Sequence, residues 1–366
     1  MSSSPKLIFV STSIDVTLVL LIVYKQVTGG TGFIGFHILT HLLDNGYSVR
    51  AAARSGKVEL LRKALSVNYH SDKFEVVEIS DISSGDYSQH LKGVKAIIHA
   101  AAPLSGRTDP ETAFRSTVEG SLHVLREAVK AKVPRIVTTS SVSTFPFPQG
   151  PFGVDDWNSI TREAAIASGA PIPIYQAAKK EADIAVLEFA ESHPEIDVTL
   201  LGPSYNYGPF APGFEHLIAE PNVESLSTNR YIYTLLNPDN TSFPKAPSAV
   251  DVRDVARAHV LALKSRPTTE VGRKRFAVVS PYESSLQEAI AIIGRERTEL
   301  KDRLADAARV PVYPSDTLPV TWDEIEDVLG LKRDSFVPWK KTVLDAVDSL
   351  VRIENMWKER GFKVSA

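Results

Sequence analysis

The sequence predicts an α/β fold: a Rossmann-type, doubly wound parallel sheet with a smaller C-terminal substrate lobe. Three observations carry this. Strand-like and helix-like segments alternate through residues 27–205, the pattern of a parallel sheet with crossover helices. A glycine-rich turn, "VTGGTGFIG" at 27–35, stands between a strand candidate and a helix. A tyrosine and a lysine one helical turn apart, in "YQAAK", follow a strand that ends in a serine pair.

Each element has a local reason. After the glycine turn, "FIGFHILTHLLDNG" spaces its apolar residues for a helix and stops at Asn45-Gly46, a good C-terminal signal. "YSVRAAAR" reads as a strand, "VELLRKAL" as a helix, and "KFEVVEISD" and "KAIIHAAAP" as strands. "FRSTVEGSLHVLREAVKAK" is a long helix, "RIVTTSSVST" a strand, "YQAAKKEADIAVLEFAESH" a helix opening at Tyr175, and "DVTLLGPS" a strand. From residue 206 the pattern weakens into prolines and loops. "VDVRDVARAHVLALKS" is a helix with Asp251 or Asp254 near its start, "RFAVVSP" a further strand, and "PWKKTVLDAVDSLVRIENMWKER" an amphipathic C-terminal helix. The expected division is a dinucleotide-binding domain over 27–205, with 249–281 returning to it. Residues 206–248 and 282–366 form the substrate lobe, and 1–26 an N-terminal segment.

Composition bounds the function. The chain has 366 residues, 43% of them hydrophobic, and a net charge of −3. No long basic or acidic block invites nucleic acid or an anionic membrane. Cysteine is absent, which excludes disulfides and thiolate metal sites, and the nine histidines show no metal spacing. The apolar run "VTLVLLIVY" is far shorter than the roughly 20 residues of a spanning helix. The expectation is a cytoplasmic protein, monomer or homodimer, that needs no metal.

Gly30, Gly32 and Gly35 fit G-x-G-x-x-G, and Gly29, Gly32 and Gly35 fit its longer version. Glycine there permits the tight turn, the backbone's approach to a pyrophosphate and close helix packing, and the helix starting near Phe33 offers free N–H groups to phosphate. An acidic residue at the end of the second strand would bind the ribose of NAD. Here "VRAAARSGK" supplies Arg54, helped by Arg50 or Lys57, which can pair with a 2′-phosphate. NADP(H) is therefore preferred, with NAD(H) still possible. Asp81, ending the third strand, is placed either to accept from the adenine amino group or to cap a helix.

Tyr175 and Lys179 lie on one helix face. A free phenol, with a pKa of about 10, is a poor acid near neutrality. A neighbouring ammonium stabilises its phenolate, so the phenol can give a proton to a carbonyl oxygen as hydride arrives at carbon. A serine at the preceding strand end, Ser140 or Ser141, would hold that oxygen; only one of the two can face it. The same spacing recurs at Tyr69 and Lys73, but at the amino-terminal edge of the sheet, whereas doubly wound folds bind ligands at the carboxyl edge.

Taken together, "VTGGTGFIG", "SD" at 80–81, "IIHAAAP", "TSS" at 139–141, "YQAAK" and "GPSYNYGP" resemble the extended short-chain dehydrogenases/reductases of the epimerase/dehydratase superfamily. The likeness is to the dihydroflavonol-reductase-like and fungal aldehyde or ketone reductase branch, and "DDWNSIT" and "AVDVRDVARAHVLAL" share it. The resemblance implies Ser141, Tyr175 and Lys179 as the catalytic set. It implies a cofactor bordered by Thr28, Gly29, Gly30, Gly32, Phe33, Ile34 and Gly35 at the first turn. Arg54, Lys57, Asp81 and Ile82 would follow, then Ala100, Ala101 and Ala102. Thr117 stands where many members carry asparagine. Pro203, Ser204 and Tyr205 would close the nicotinamide end. Substrate would meet the loop after Ser141 together with Tyr205 and Tyr207. Phe145, Phe147 and Phe152 either line an apolar pocket or pack the lid.

One stretch does not fit. Lys25 and Gln26 end the run that feeds the glycine turn, where a central parallel strand should be apolar. "PKLIFV" at 5–10 is a better strand, and removing residues 10–26 gives "PKLIFVTGGTGFIG". Those 17 residues correspond to 51 nucleotides, in frame, and codons for Val10-Ser11 (GTA-AGT) and Gln26 (CAG) make good splice sites. Residues 10–26 are thus expected to be a retained short intron; otherwise "LLIVYKQV" serves as the first strand, with Lys25 reaching solvent along its stem.

The expected function is NADPH-dependent reduction of a small aldehyde or ketone to an alcohol. The alternatives are a nucleotide-sugar epimerase or dehydratase, which would prefer NAD, and a non-catalytic NADP-sensing regulator, which would not need the tyrosine–lysine pair.

Overall fold

The computed structural model describes residues 23–101, 109–146, 152–244, 248–313, 318 and 320–364. Nine strands and eleven helices are formed among them. The strands are β1 (Tyr24–Thr28), β2 (Ser48–Ala53), β3 (Phe74–Glu78), β4 (Val94–His99), β5 (Arg135–Thr139), β6 (Asp197–Pro203), β7 (Tyr205–Tyr207), β8 (Ala249–Asp251) and β9 (Lys274–Val278). The helices are α1 (Phe33–Asp44), α2 (Val58–Leu65), α3 (Pro110–Lys130), α4 (Arg162–Ser168), α5 (Pro171–Ser192), α6 (Arg230–Thr234), α7 (Val252–Ala262), α8 (Thr268–Val271), α9 (Leu286–Glu296), α10 (Trp322–Leu329) and α11 (Trp339–Glu359).

Seven strands form one parallel sheet in the order β3-β2-β1-β4-β5-β6-β9, and β7 pairs with β8 apart from it. Order reverses between β1 and β4, which makes a crevice at their carboxyl ends, where doubly wound folds bind ligands. Side chains alternate across the sheet. Ile98, Val137 and Leu201 face one core with α1, α7, α9 and α11, while Ile97, Ile136 and Leu200 face another with α3 and α5. Burial on both faces is why β4, β5 and β6 read as apolar runs.

Helix starts follow their caps. Asp109 accepts from the Thr112 N–H and starts α3 one turn before the expected Phe114, with Pro110 at its first position. Pro171 likewise starts α5, so Tyr175 sits one turn inside that helix rather than opening it. Asp251, not Asp254, caps α7.

The first strand is built from Tyr24–Thr28, so Lys25 and Gln26 lie within it. The alternative strand at 5–10 falls outside the described residues. Gln26 pairs in register with Arg50 on β2 and Ile97 on β4. It is 0% exposed, and neither its amide oxygen nor its nitrogen has a hydrogen-bond partner. Lys25 lies over the Tyr47 ring at 5.7 Å, and burial pushes its ammonium pKa down.

Candidate active site

The glycine turn brings three backbones together at the carboxyl end of β1. Gly29 has φ +76°, and a Cβ there would stand 2.7 Å from the Ala100 carbonyl carbon. At Gly35 a Cβ would stand 2.1 Å from the Gly29 carbonyl oxygen, so the helix can approach the turn only without a side chain. The Gly32 N–H donates to the Gly29 carbonyl, and Gly32 caps α1, whose first turn carries no acid. Phe33 packs edge-on to His37 and Phe210, and Ile34 is half-buried. Thr28 Oγ1 hydrogen-bonds Nδ1 of His99 at 2.8 Å, tying β1 to β4. Burial, and the Lys179 charge after it, hold His99 down to a pKa of about 3, so the ring is neutral.

Arg54 is exposed at the end of β2, immediately before the turn Ser55–Lys57. Neither Arg54 nor half-buried Lys57 is held in an ion pair among the described residues. Arg50, expected as a helper, is not available. Its Nε donates to Glu75 Oε2 at 2.7 Å and its Nη1 to the Lys92 carbonyl at 2.9 Å, with the guanidinium over the Tyr24 ring. It stands mid-strand, four residues before Arg54, and is spent on neighbours away from the carboxyl edge. Asp81 accepts from Ser83 N–H, Ser83 Oγ and Ser84 Oγ, which hold its carboxyl below the usual range. Its oxygens thus cap a turn. Half-buried Ile82 lies against Gly120 on α3, and the Thr117 hydroxyl is folded onto its own helix, donating to the Ala113 carbonyl at 2.6 Å. Ala100 and Ala101 follow β4; Ala102 lies outside the described residues.

Ser141, Tyr175 and Lys179 converge where β5 meets α5. Ser141 is 9% exposed and caps the short turn Val142–Thr144. Its Oγ accepts from the Ser143 N–H at 3.2 Å and the Ser143 hydroxyl at 2.9 Å, which leaves its own proton to donate. That hydroxyl lies near enough to the Tyr175 phenol to favour its ionised form. Burial pushes the phenol pKa up; the Ser141 hydroxyl opposes this, the Asp183 charge adds to it, and the net shift is upward. Lys179 is 7% exposed and its Nζ donates to the Thr139 carbonyl at 3.0 Å. Burial lowers its pKa, and the Asp183 charge opposes that. Ser140 points elsewhere: its hydroxyl donates to Asp183. The two serines therefore divide as strand alternation requires.

The neighbouring lobe is only partly as expected. Pro203 ends β6 beside Val278, the Ser204 N–H donates to the Val278 carbonyl, and half-buried Tyr205 stands edge-on to Tyr231 at 5.9 Å. Phe145 and Tyr207, expected to meet substrate, are packed inside instead. Phe145 is 0% exposed against Phe152 and Arg275, and Tyr207 is 2% exposed against Trp339. Phenylalanine after the strand that leads into the serine pair suits core and pocket equally, so the sequence could not separate the two. Phe147 lies outside the described residues. Of the second tyrosine–lysine pair, Tyr69 donates to Asp44 at 2.8 Å and Lys73 pairs with Asp72.

Two residues passed over in the sequence belong to this cluster. Asp183 repeats the four-residue spacing of Tyr175 and Lys179 once more along α5. Arg275 is a charged residue in the fully buried strand β9, which is itself a signal. Among the described residues no group of histidine and acid side chains is arranged to hold a metal. No described helix is long and apolar enough to cross a membrane.

A family model, the NAD dependent epimerase/dehydratase family, matches residues 26–274. The chain belongs to that family. Among its relatives, ketoreductase adrE of Penicillium rubens is 32% identical over 308 residues, covering 81% of this chain and 85% of adrE. The NADPH-dependent methylglyoxal reductase GRE2 of Saccharomyces cerevisiae is 28% identical over 353 residues, covering 90% of this chain and 98% of GRE2. The solved structure of yeast methylglyoxal/isovaleraldehyde reductase Gre2 complexed with NADPH superposes with a TM-score of 0.73 at 25% identity, covering 91% of this chain and 99% of that chain. The family's extended short-chain reductase architecture is thus the one seen here.

Proposed function

We propose that this family member is an NADPH-dependent reductase that converts a small aldehyde or ketone to an alcohol, with Tyr175 as the proton donor. The observation that carries the reading is that buried Ser141 and Lys179 and half-buried Tyr175 lie together at the carboxyl edge of the sheet, on the side of the crevice opposite Arg54. The relatives named above, a ketoreductase and an NADPH-dependent methylglyoxal reductase, support the reaction class.

The residues present fit the cofactor. The cradle at Gly29 and Gly35 is one that a Cβ would fill, α1 presents an N-terminus free of acids, and Arg54, without an ion pair among the described residues, offers its guanidinium where a 2′-phosphate would lie. When bound, the dinucleotide supplies hydride from its nicotinamide ring. The protein does the rest. Ser141 donates to the substrate oxygen and orients the carbonyl. Tyr175 holds the proton at Oη and gives it to that oxygen as charge develops there. The Lys179 ammonium stabilises the phenolate left behind. The neutral His99 ring adds no competing charge. A nucleotide-sugar epimerase on this scaffold would want a hydroxyl acceptor at the end of β2, where Arg54 stands instead.

The test is NADPH oxidation across a panel of aldehydes, ketones and diketones, with nucleotide sugars as the comparison. Turnover of carbonyls with NADPH released as NADP is expected. Isomerisation of a nucleotide sugar with no net oxidation would overturn the reading.

A further inference from the structure

Asp183 and Arg275 have no part in the mechanism above, yet they are built into the same buried cluster. Tyr175, Lys179 and Asp183 recur at every fourth residue of α5 and so share one face. Asp183 is 3% exposed; its Oδ2 accepts from the Ser140 hydroxyl and stands 4.0 Å from Nε of Arg275. That Nε has no hydrogen-bond acceptor of its own. The Arg275 guanidinium carbon lies 3.6 Å from the ring centroids of both Phe145 and Trp157. Its Nη1 donates to the Gly153, Val154 and Asp156 carbonyls, and its Nη2 donates to Thr144 Oγ1 at 3.0 Å. One arginine therefore staples the segment after Ser141 to the sheet and faces the carboxylate behind the lysine.

A buried ammonium needs an anion or it sheds its proton. The groups around Lys179 decide which is present. β5 contributes the Thr139 carbonyl, β4 the neutral His99, and its own helix Asp183, which the cationic Arg275 of β9 faces in turn. Asp155 and Asp156 act on Arg275. Asp183 is the carboxylate whose field reaches Lys179; burial pushes its own pKa up, and the Ser140 hydroxyl and the Lys179 and Arg275 charges act to keep it ionised.

We propose that Asp183 is a positioning residue that keeps Lys179 charged for the proton transfer, with Arg275 coupling that carboxylate to the loop following Ser141. This rests on the Tyr175–Lys179 reading above. The carboxylate also raises the phenol. Removing it therefore lowers both groups, which titrate as one set. Reduction needs the phenol and the ammonium protonated, so its alkaline limb moves to lower pH when the carboxylate is lost.

The experiment compares pH profiles of kcat for carbonyl reduction by Asp183→Asn, Asp183→Glu and Tyr175→Phe. Asp183→Asn should move the alkaline limb down by about one pH unit or more, and Asp183→Glu should restore it. If Asp183→Asn does not fold, Ser140→Ala replaces it. Without that hydroxyl the carboxylate holds its charge less well, and a smaller shift in the same direction is expected. A kcat lowered equally at all pH values, with the limb unmoved, would overturn the proposal and leave Asp183 a scaffold residue. Turnover retained by Tyr175→Phe would overturn the proposal together with the reading beneath it; turnover lost there with an unmoved limb would overturn the proposal alone.

Discussion

Gln26→Met is the substitution whose effect the structure sets most directly. Gln26 lies in the central strand, between Arg50 and Ile97, and is fully buried with both amide atoms unpaired. A buried polar group left unsatisfied costs about 1–3 kcal/mol. Methionine nearly conserves the shape, so little is lost in packing. A gain of about 2 kcal/mol is expected. With an unfolding entropy of roughly 2.1 cal/mol/K per residue, that raises Tm by about 3 °C in a chain of this length. Differential scanning calorimetry at neutral pH reads it. An unchanged or lowered Tm would refute the reasoning, because it would mean that the amide is satisfied in solution. Deleting residues 10–26 is the larger version, setting Ile8 and Phe9 in the register of Lys25 and Gln26. Soluble yield and NADPH binding should both rise; no gain in either would contradict the retained-intron reading, as would a full-length message carrying those codons in an active protein.

Arg54→Ala should cut the preference for NADPH over NADH by roughly 10- to 100-fold, the worth of one charged hydrogen-bonding partner, measured as the ratio of kcat/KM; an unchanged ratio would place the phosphate contact elsewhere. Gly35→Ala drives a Cβ to 2.1 Å from the Gly29 carbonyl oxygen and should abolish tight NADPH binding by titration; wild-type affinity would contradict that. His37, His99 and His259 are buried neutral, held by burial to pKa values of about 4, 3 and 4 against 6.5 in the unfolded chain. The unfolded chain therefore binds more protons below pH 6.5, and stability that is full above that value is lost as pH falls towards 4. Urea midpoints across this range should fall with acid; flat midpoints would mean that the rings can charge in place.

The sheet and its order of elements were legible because β4, β5 and β6 are covered on both faces and leave short apolar stretches at 96–98, 136–137 and 200–201, while α1 and α11 carry a helical period. The minor pair β7–β8 was not, since strands of three residues leave no period to read. That Tyr175 and Lys179 share a helix face was legible as a spacing, and Asp183 could have been found by carrying that spacing one step further. Arg275 could only have been flagged, not placed, because most of its partners, Thr144, Phe145, Gly153, Val154, Asp156 and Trp157, come from irregular backbone after β5. Arg50 and Phe145 show the converse limit. Their residue types suit a phosphate contact and a pocket wall, but the register of β2 and the packing around Arg275 use them otherwise.

The central claim is that Tyr175 delivers the proton. The most direct measurement is single-turnover oxidation of bound NADPH by an accepted carbonyl, comparing the parent protein with Tyr175→Phe at matched saturation. The account predicts a rate reduced by at least about 100-fold, with NADPH affinity retained. A variant that keeps most of the rate would contradict it.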